Sequence, residues 1–205
     1  MYNYIIFDID GTLIDTEPAI VSSYQRLIFE EFGRNCAPEE LARGYGIPTS
    51  ECIAMLGFKN VEESVKKYHT YLFESYDNVK VFNGIIKVLD YLDNKNIITG
   101  IVTARSRREV EGDPCLQSLI THFKHIVCAD DTKKPKPDPE PILKLMKMSN
   151  AEITKTIYIG DTYFDYMCAR NSGVCFGLAM WGAKTTDGIN ADYNFMDPEE
   201  ILRIL

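Results

Sequence analysis

The sequence has no apolar stretch near the ~20 residues that a membrane-spanning helix needs. Its longest apolar runs, Tyr4–Phe7 and Ile97–Val102, are strand-sized, so no membrane partner is expected. The opening MYNYIIFDID has no basic residues ahead of its apolar run, so no secretory leader is expected and the chain reads as cytoplasmic. None of the six cysteines, Cys36, Cys52, Cys115, Cys128, Cys168 and Cys175, stands in a C-x-x-C pair. That argues against a zinc site or a disulfide framework and for reduced, buried thiols. The three histidines, His69, His122 and His125, show no ligand spacing, and no repeat or low-complexity tract is present. Basic charge is short as well: 22 Lys and Arg face 30 Asp and Glu, a net charge of −8. A nucleic-acid partner, which needs a basic face, is not expected.

What remains is globular composition, 45% hydrophobic and 25% charged over 205 residues, enough for one core and an insertion. Strand-like runs fall at Tyr4–Asp8, Ile97–Thr103, His125–Ala129, Thr156–Gly160, Val174–Leu178 and Tyr193–Phe195. Helical patterns at Ile85–Leu92, Pro114–Thr121, Pro139–Met148 and Tyr163–Asn171 lie between them. This alternation predicts an α/β fold, a Rossmann-like doubly wound parallel sheet covered on both faces.

Residues 15–82 break the alternation and read as purely helical. Thr16 and Pro18 open one helix, which ends at Gly33, and Asn60 with Glu63 forms a capping-box-like start for another. Shorter helices are expected from Pro38 and Ser50. The expected organisation is a core of 1–14 plus 83–205, with a helical domain of 15–82 inserted after the first strand.

The first strand runs into Asp8-Ile9-Asp10-Gly11-Thr12. Asp8 and Asp10 share a strand face, and two close carboxylates call for a positive partner, for which Mg²⁺ is suited. A calcium EF-hand loop is excluded, because Leu13 and Ala19 occupy the positions that need Gly and Glu. A second acidic cluster, Gly160-Asp161-Thr162-Tyr163-Phe164-Asp165, follows another strand. In a parallel sheet Asp8, Asp10 and Asp161 can converge at the strands' carboxyl ends. Asp165, one turn into the next helix, can lean back to the same point or serve the helix dipole. Thr103-Ala104-Arg105 ends a further strand, where a hydroxyl and backbone N–H groups suit an anion. Lys133-Lys134-Pro135-Lys136-Pro137 is a proline-stiffened basic loop.

These four pieces, in this order, resemble the motifs of the haloacid dehalogenase superfamily: DxDGT, a Thr or Ser after the second core strand, a Lys in a KPxP loop, and GDxxxD. The resemblance spans almost the whole chain and makes the insertion similar to the family's small helical cap, in a phosphoglycolate phosphatase-like enzyme. It implies that Asp8 is the nucleophile and that Asp10 is the general acid and base. It further implies Mg²⁺ held by Asp8, Asp161 and Asp10, the last through its backbone carbonyl. Thr103, Ala104 and Lys134 would bind phosphate, and Asp165 would orient metal-bound water or pair with the loop lysine. Lys133 and Lys136 compete for the lysine role, with the KPxP spacing assigned to Lys134.

Thr-Ala-Arg departs from the Thr-Asn-Lys common in such phosphatases, which makes Arg105 a candidate for substrate contact. Arg43 and Tyr45, in or beside the Gly44–Pro48 turn, are the other specificity candidates; an Arg there suits a second anionic group. Trp181-Gly182 resembles a family turn without an assigned role. The resemblance implies a small phosphorylated metabolite as partner, and a monomer or weak homodimer is expected. Pyrophosphatase activity is a close variant. A β-phosphoglucomutase-like isomerase is the alternative, disfavoured because Ile20 stands where those mutases carry His. A phospho-acceptor receiver domain is disfavoured because its Asp lies on a central strand, and because it lacks such an insertion.

Overall fold

The computed structural model describes residues 2–205, apart from the side chains of Ala42 and Arg43. The strands are β1 (Tyr4–Phe7), β2 (Ile14–Asp15), β3 (Lys80–Val81), β4 (Ile98–Val102), β5 (His125–Val127), β6 (Thr156–Gly160), β7 (Cys175–Ala179) and β8 (Tyr193–Phe195). The helices are α1 (Glu17–Phe32), α2 (Thr49–Met55), α3 (Val61–Glu74), α4 (Ile85–Asn94), α5 (Arg107–Glu111), α6 (Glu140–Ser149) and α7 (Tyr163–Ser172).

Six strands form one sheet in the order β5-β4-β1-β6-β7-β8, and every pair is parallel. The chain winds outward from β1 through β4 to β5, then returns to the other side of β1 for β6, β7 and β8. This is the Rossmann-like α/β fold that the alternation predicts. β1 explains the two-sided core. Its side chains alternate, with Ile5 and Phe7 on one face and Tyr4 and Ile6 on the other. Ile5 and Phe7 pack with Val88, Leu89 and Leu92 of α4. Tyr4 and Ile6 pack with Ile142 and Leu145 of α6 and Cys168 of α7. Each large apolar side chain so buried contributes about 1.5–3 kcal/mol.

Residues 16–79 hold a third apolar cluster of their own, drawn from Tyr24, Leu27 and Ile28 of α1, Ile53 of α2, and Tyr68 and Tyr71 of α3. α3 starts as its sequence indicates: the Asn60 side chain accepts from the Glu63 N–H and its amide donates to the Glu63 carboxylate. The helical segment leaves the core through β2 and returns through β3, and these pair antiparallel, Ile14 with Val81 and Asp15 with Lys80. No helix among the described residues is long and apolar enough to cross a membrane.

Two local expectations change. Pro114–Thr121 is not an α-helix but two 3₁₀ turns, Leu116–Ser118 and Ile120–His122. The helix lies earlier, where Ser106 and Glu109 form the capping box of α5. Asp113 caps the first of these turns, its side chain accepting from the Cys115 and Leu116 N–H groups. Thr16 precedes α1 without capping it; its hydroxyl donates to Asp10 instead, at 2.6 Å.

Candidate active site

Register brings the motifs together. Phe7 stands opposite Ile101 on one side and Ile159 on the other. The chains leaving β1, β4 and β6 therefore clear the sheet at the same height, carrying Asp8, Thr103 and Asp161. Asp8 stays tied to the sheet by its N–H, which donates to the Ile159 carbonyl at 2.9 Å.

The lysine beside Asp8 is Lys136, and Lys134 is not in the site. Lys136 Nζ lies 3.0 Å from Asp8 Oδ1 and 2.6 Å from Asp165 Oδ1, and it donates to the Tyr158 hydroxyl at 3.3 Å. The Lys134 side chain is 72% exposed and reaches only Asp138, at 3.6 Å. The Glu140 carboxylate explains the choice. It accepts from the main-chain N–H groups of Lys133 and Lys134, pinning that part of the loop at the surface. The sequence carried the signal, because Lys136-Pro137-Asp138-Pro139 is a second, overlapping KPxP. Burial favours the neutral amine, but the charges of Asp165 and Asp8 override it and hold Lys136 firmly protonated.

Asp165 is fully buried and its oxygens are spoken for. Oδ1 accepts from Lys136 and Tyr158, and Oδ2 from the Thr162 N–H and hydroxyl. It positions the lysine and caps α7 together with Thr162, so both readings of this residue coexist.

Asp8, Asp161 and Asp165 each present a carboxylate oxygen within 4.8 Å of one another. Against these three acids stands the single charge of Lys136. Burial pushes the Asp8 carboxyl up to about 7, with Asp165 and Asp10 adding to the rise against Lys136. Burial, with Asp165 and Asp8 close by, also raises Asp161. A hard divalent cation with oxygen ligands would relieve this crowding, and Asp8 and Asp161 fit it best, because Asp165 is saturated. Gly11 makes room: it has φ +74°, and a Cβ there would collide with the Asp161 carboxylate. Thr12 donates its hydroxyl to Asp161 Oδ1 at 3.2 Å. The Trp181 indole N–H donates to the Thr12 carbonyl at 3.0 Å, which gives Trp181 a task in holding the Asp10–Thr12 turn.

The Asp10 side chain faces away from that cluster. Arg105 holds it by both oxygens, Nε to Oδ2 at 2.8 Å and Nη2 to Oδ1 at 2.6 Å. Only its main-chain carbonyl is left for a metal. Burial alone would raise the Asp10 carboxyl; Arg105 and the Thr16 hydroxyl outweigh it and keep it below the ordinary carboxylate range. The other end of Arg105 meets Asp113, Nη1 to Oδ2 at 2.5 Å, and Asp113 also accepts from the Tyr76 hydroxyl. Neither Asp113 nor Tyr76 carries a motif signature.

Thr103 is buried, and its hydroxyl accepts from the Arg105 main-chain N–H at 3.2 Å. Ala104 lines a cavity of about 900 Å³ between the sheet's carboxyl edge and the helical segment. Asp8, Asp10, Asp161, Arg105 and Tyr45 line it too. Tyr45 is half-buried there, and burial with Glu17 nearby raises its hydroxyl to about 12. The side chain of Arg43 lies outside the described residues. In the same turn a Cβ on Gly46 would run into Thr162, so the helical segment touches the core one residue from Asp161.

The sequence profile of the haloacid dehalogenase-like hydrolases matches residues 5–179, most of the chain, with Asp8, Asp10, Thr103, Lys136, Asp161 and Asp165 inside the match. The chain belongs to that family. Among proteins similar to this hydrolase is pyrophosphatase PpaX of Bacillus velezensis, 29% identical and aligned over 98% of this chain and 94% of its own length. PpaX of Oceanobacillus iheyensis is 28% identical over 98% and 95%. A solved structure from Lactobacillus plantarum, provisionally named a phosphoglycolate phosphatase, superposes with a TM-score of 0.90 at 27% identity and covers 100% of both chains. A subfamily IA hydrolase from Geobacter sulfurreducens shares the fold, with a TM-score of 0.74 at 24% identity over 100% of both. The resemblance read from the four motifs therefore holds, and so does the reading of the chain as a hydrolytic enzyme of this family.

Proposed function

We propose that the enzyme is a Mg²⁺-dependent phosphatase of small phosphomonoesters that works through an aspartyl phosphate on Asp8. The reading rests chiefly on one observation: a buried Asp8, 3.0 Å from Lys136, opens on a cavity shared with Asp10 and Asp161. Residues 1–14 and 83–205 act as the catalytic core, and 15–82 as a cap that closes over it and excludes water.

Asp8 attacks phosphorus. The new O–P bond forms as the bond to the leaving oxygen breaks, and Asp10 donates the proton that this oxygen needs. Asp10 then takes a proton from water, whose oxygen attacks the aspartyl phosphate and releases inorganic phosphate. Lys136, rather than Lys134, and the Thr103–Ala104 turn bind the non-bridging oxygens, because phosphoryl transfer depends mainly on placing and neutralising those oxygens. Asp8, Asp161 and the Asp10 carbonyl would hold Mg²⁺, which supplies further positive charge against the phosphoryl group. Asp165 acts by holding Lys136.

Pyrophosphate hydrolysis is the second reading, favoured by the PpaX relatives aligned over nearly the whole chain. Isomerisation is disfavoured by Ile20, which lines the cavity and has no proton to give. The test is phosphate release across phosphorylated metabolites and pyrophosphate with Mg²⁺ present, using wild type and Asp8→Asn. Release by wild type, and a loss of several orders of magnitude in the variant, is expected. Activity within about tenfold of wild type in Asp8→Asn would remove Asp8 as nucleophile.

A further inference from the structure

Arg105 sits between two carboxylates that differ in one respect. The Asp113 side chain is 1% exposed and that of Asp10 is 31% exposed. Asp113 is immobilised: Oδ1 holds the Cys115 and Leu116 N–H groups, and Oδ2 holds Arg105 and Tyr76. Asp10 stands on the cavity wall with a second partner, the Thr16 hydroxyl. The guanidinium edge turned toward Asp10 is the Nε–Nη2 fork, the edge whose paired N–H groups match the two oxygens of a carboxylate or phosphoryl group.

This arrangement conflicts with the work assigned to Asp10. While both its oxygens lie on the fork, Asp10 is committed to Arg105, with Thr16 also on Oδ1 and a single lone pair of Oδ2 left for the leaving oxygen. Something must take its place on Arg105, because a buried guanidinium left facing one carboxylate through one nitrogen wastes its best binding edge. A second anion on the substrate has the right charge and geometry. Asp113 would keep Arg105 in place during the exchange, and Thr16 would keep hold of Asp10.

We infer that Arg105 is the specificity residue of this enzyme: its fork binds a carboxylate or second phosphoryl group of the substrate in exchange for Asp10, which frees Asp10 for the leaving oxygen. The inference rests on the phosphatase reading above. It names the substrate class as short phosphate esters or anhydrides that carry another anion next to the scissile phosphate.

The test pairs 2-phosphoglycolate with 2-hydroxyethyl phosphate, which differ at one end by carboxylate against hydroxymethyl. Phosphate release is measured with Mg²⁺ for wild type, Arg105→Ala, Arg105→Lys and Arg108→Ala. Wild type is expected to favour phosphoglycolate in kcat/KM by at least about tenfold, the effect of a charge-assisted contact. Arg105→Ala should erase that preference, lowering kcat/KM on phosphoglycolate by at least about tenfold more than on the neutral ester. Arg105→Lys keeps the charge without the fork and should recover only part of the preference. It also serves should the alanine variant fail to fold. Arg108, another cavity-lining cation, is the control, and its removal should leave the preference in place. Equal loss on both esters in the Arg105 variants, no preference in wild type, or a preference that vanishes with Arg108 would overturn the inference and leave the phosphatase reading standing. Release from neither ester, nor from any other phosphorylated compound, would bring down that reading itself.

Discussion

Lys136 and Asp165 form an ion pair closed to water, with Nζ 2.6 Å from Oδ1 and side chains 1% and 0% exposed. Breaking one side of such a pair strands the other charge. Lys136→Ala is therefore expected to destabilise the fold by about 3–5 kcal/mol. It should also lower kcat/KM by several orders of magnitude, since the same amine serves Asp8. Lys134→Ala should stay within about twofold of wild type, its partner being an exposed ion pair. Urea unfolding and phosphate-release kinetics on both variants check this; equal damage from both would mean that Lys136 is not the lysine that serves Asp8.

Gly11 tests the metal pocket from its backbone. An L-residue forced to φ +74° costs about 1–2 kcal/mol. The added methyl would also displace the Asp161 carboxylate. Gly11→Ala should raise the Mg²⁺ concentration for half-maximal activity by about tenfold or more, as altered support of metal ligands does. A Mg²⁺ titration of activity would read this directly, and an unchanged midpoint would separate Asp161 from the metal.

Chelation gives a third expectation. EDTA should abolish turnover, and added Mg²⁺ should restore it. Because the crowded carboxylates favour the metal-bound folded state, Mg²⁺ at a hundredfold excess over its Kd should add ~2.7 kcal/mol of stability. Thermal melts with EDTA and with Mg²⁺ measure this, and coincident melts would argue against a site in this cluster.

Asp131, just ahead of the lysine loop, carries a pH prediction. Burial would raise its carboxyl, but the Cys128 N–H and the Arg107 guanidinium outweigh it and lower the group below its ordinary 3.8. A lowered carboxyl stabilises the fold above its unfolded value, and that contribution is lost as pH falls through the folded one. Asp131→Asn should cost about 1 kcal/mol near pH 7, with the penalty shrinking below about pH 4. Denaturation of wild type and variant at both pH values decides it; a penalty that grows in acid would reverse the sign.

Much of this was legible in the chain. β1 and β6 could be read because mostly apolar runs end at turn residues, and a parallel sheet then delivers Asp8 and Asp161 to one edge. Thr103 followed from the same rule. The loop lysine went to Lys134 because two KPxP patterns overlap, and only the Glu140 clamp on the main chain decides which lysine turns inward. Asp113 and Tyr76 were invisible as site residues because their partner, Arg105, lies on another segment and no local pattern marks an ion pair. Pro114–Thr121 looked helical by apolar spacing, but two short 3₁₀ turns bury Leu116 and Leu119 just as well. Thr16 looked like a helix cap, and a nearby carboxylate proved the stronger acceptor.

The β2–β3 pairing has a consequence for how such a protein can be rebuilt. Asp15 and Lys80 are register partners, so the two ends of a 64-residue excursion, 16–79, lie side by side, ~5 Å apart. The excursion passes through one doorway and has an apolar cluster of its own, while Ala19, Leu72, Tyr76 and Val79 pack against the core. Nothing in the six-stranded sheet has to know how long the detour is. A two-residue turn could join Asp15 to Lys80 as readily as three helices do. On the proposed reading of this segment as a cap, it is a replaceable module, and exchanging it would be the direct way to give the same set of acids a different substrate.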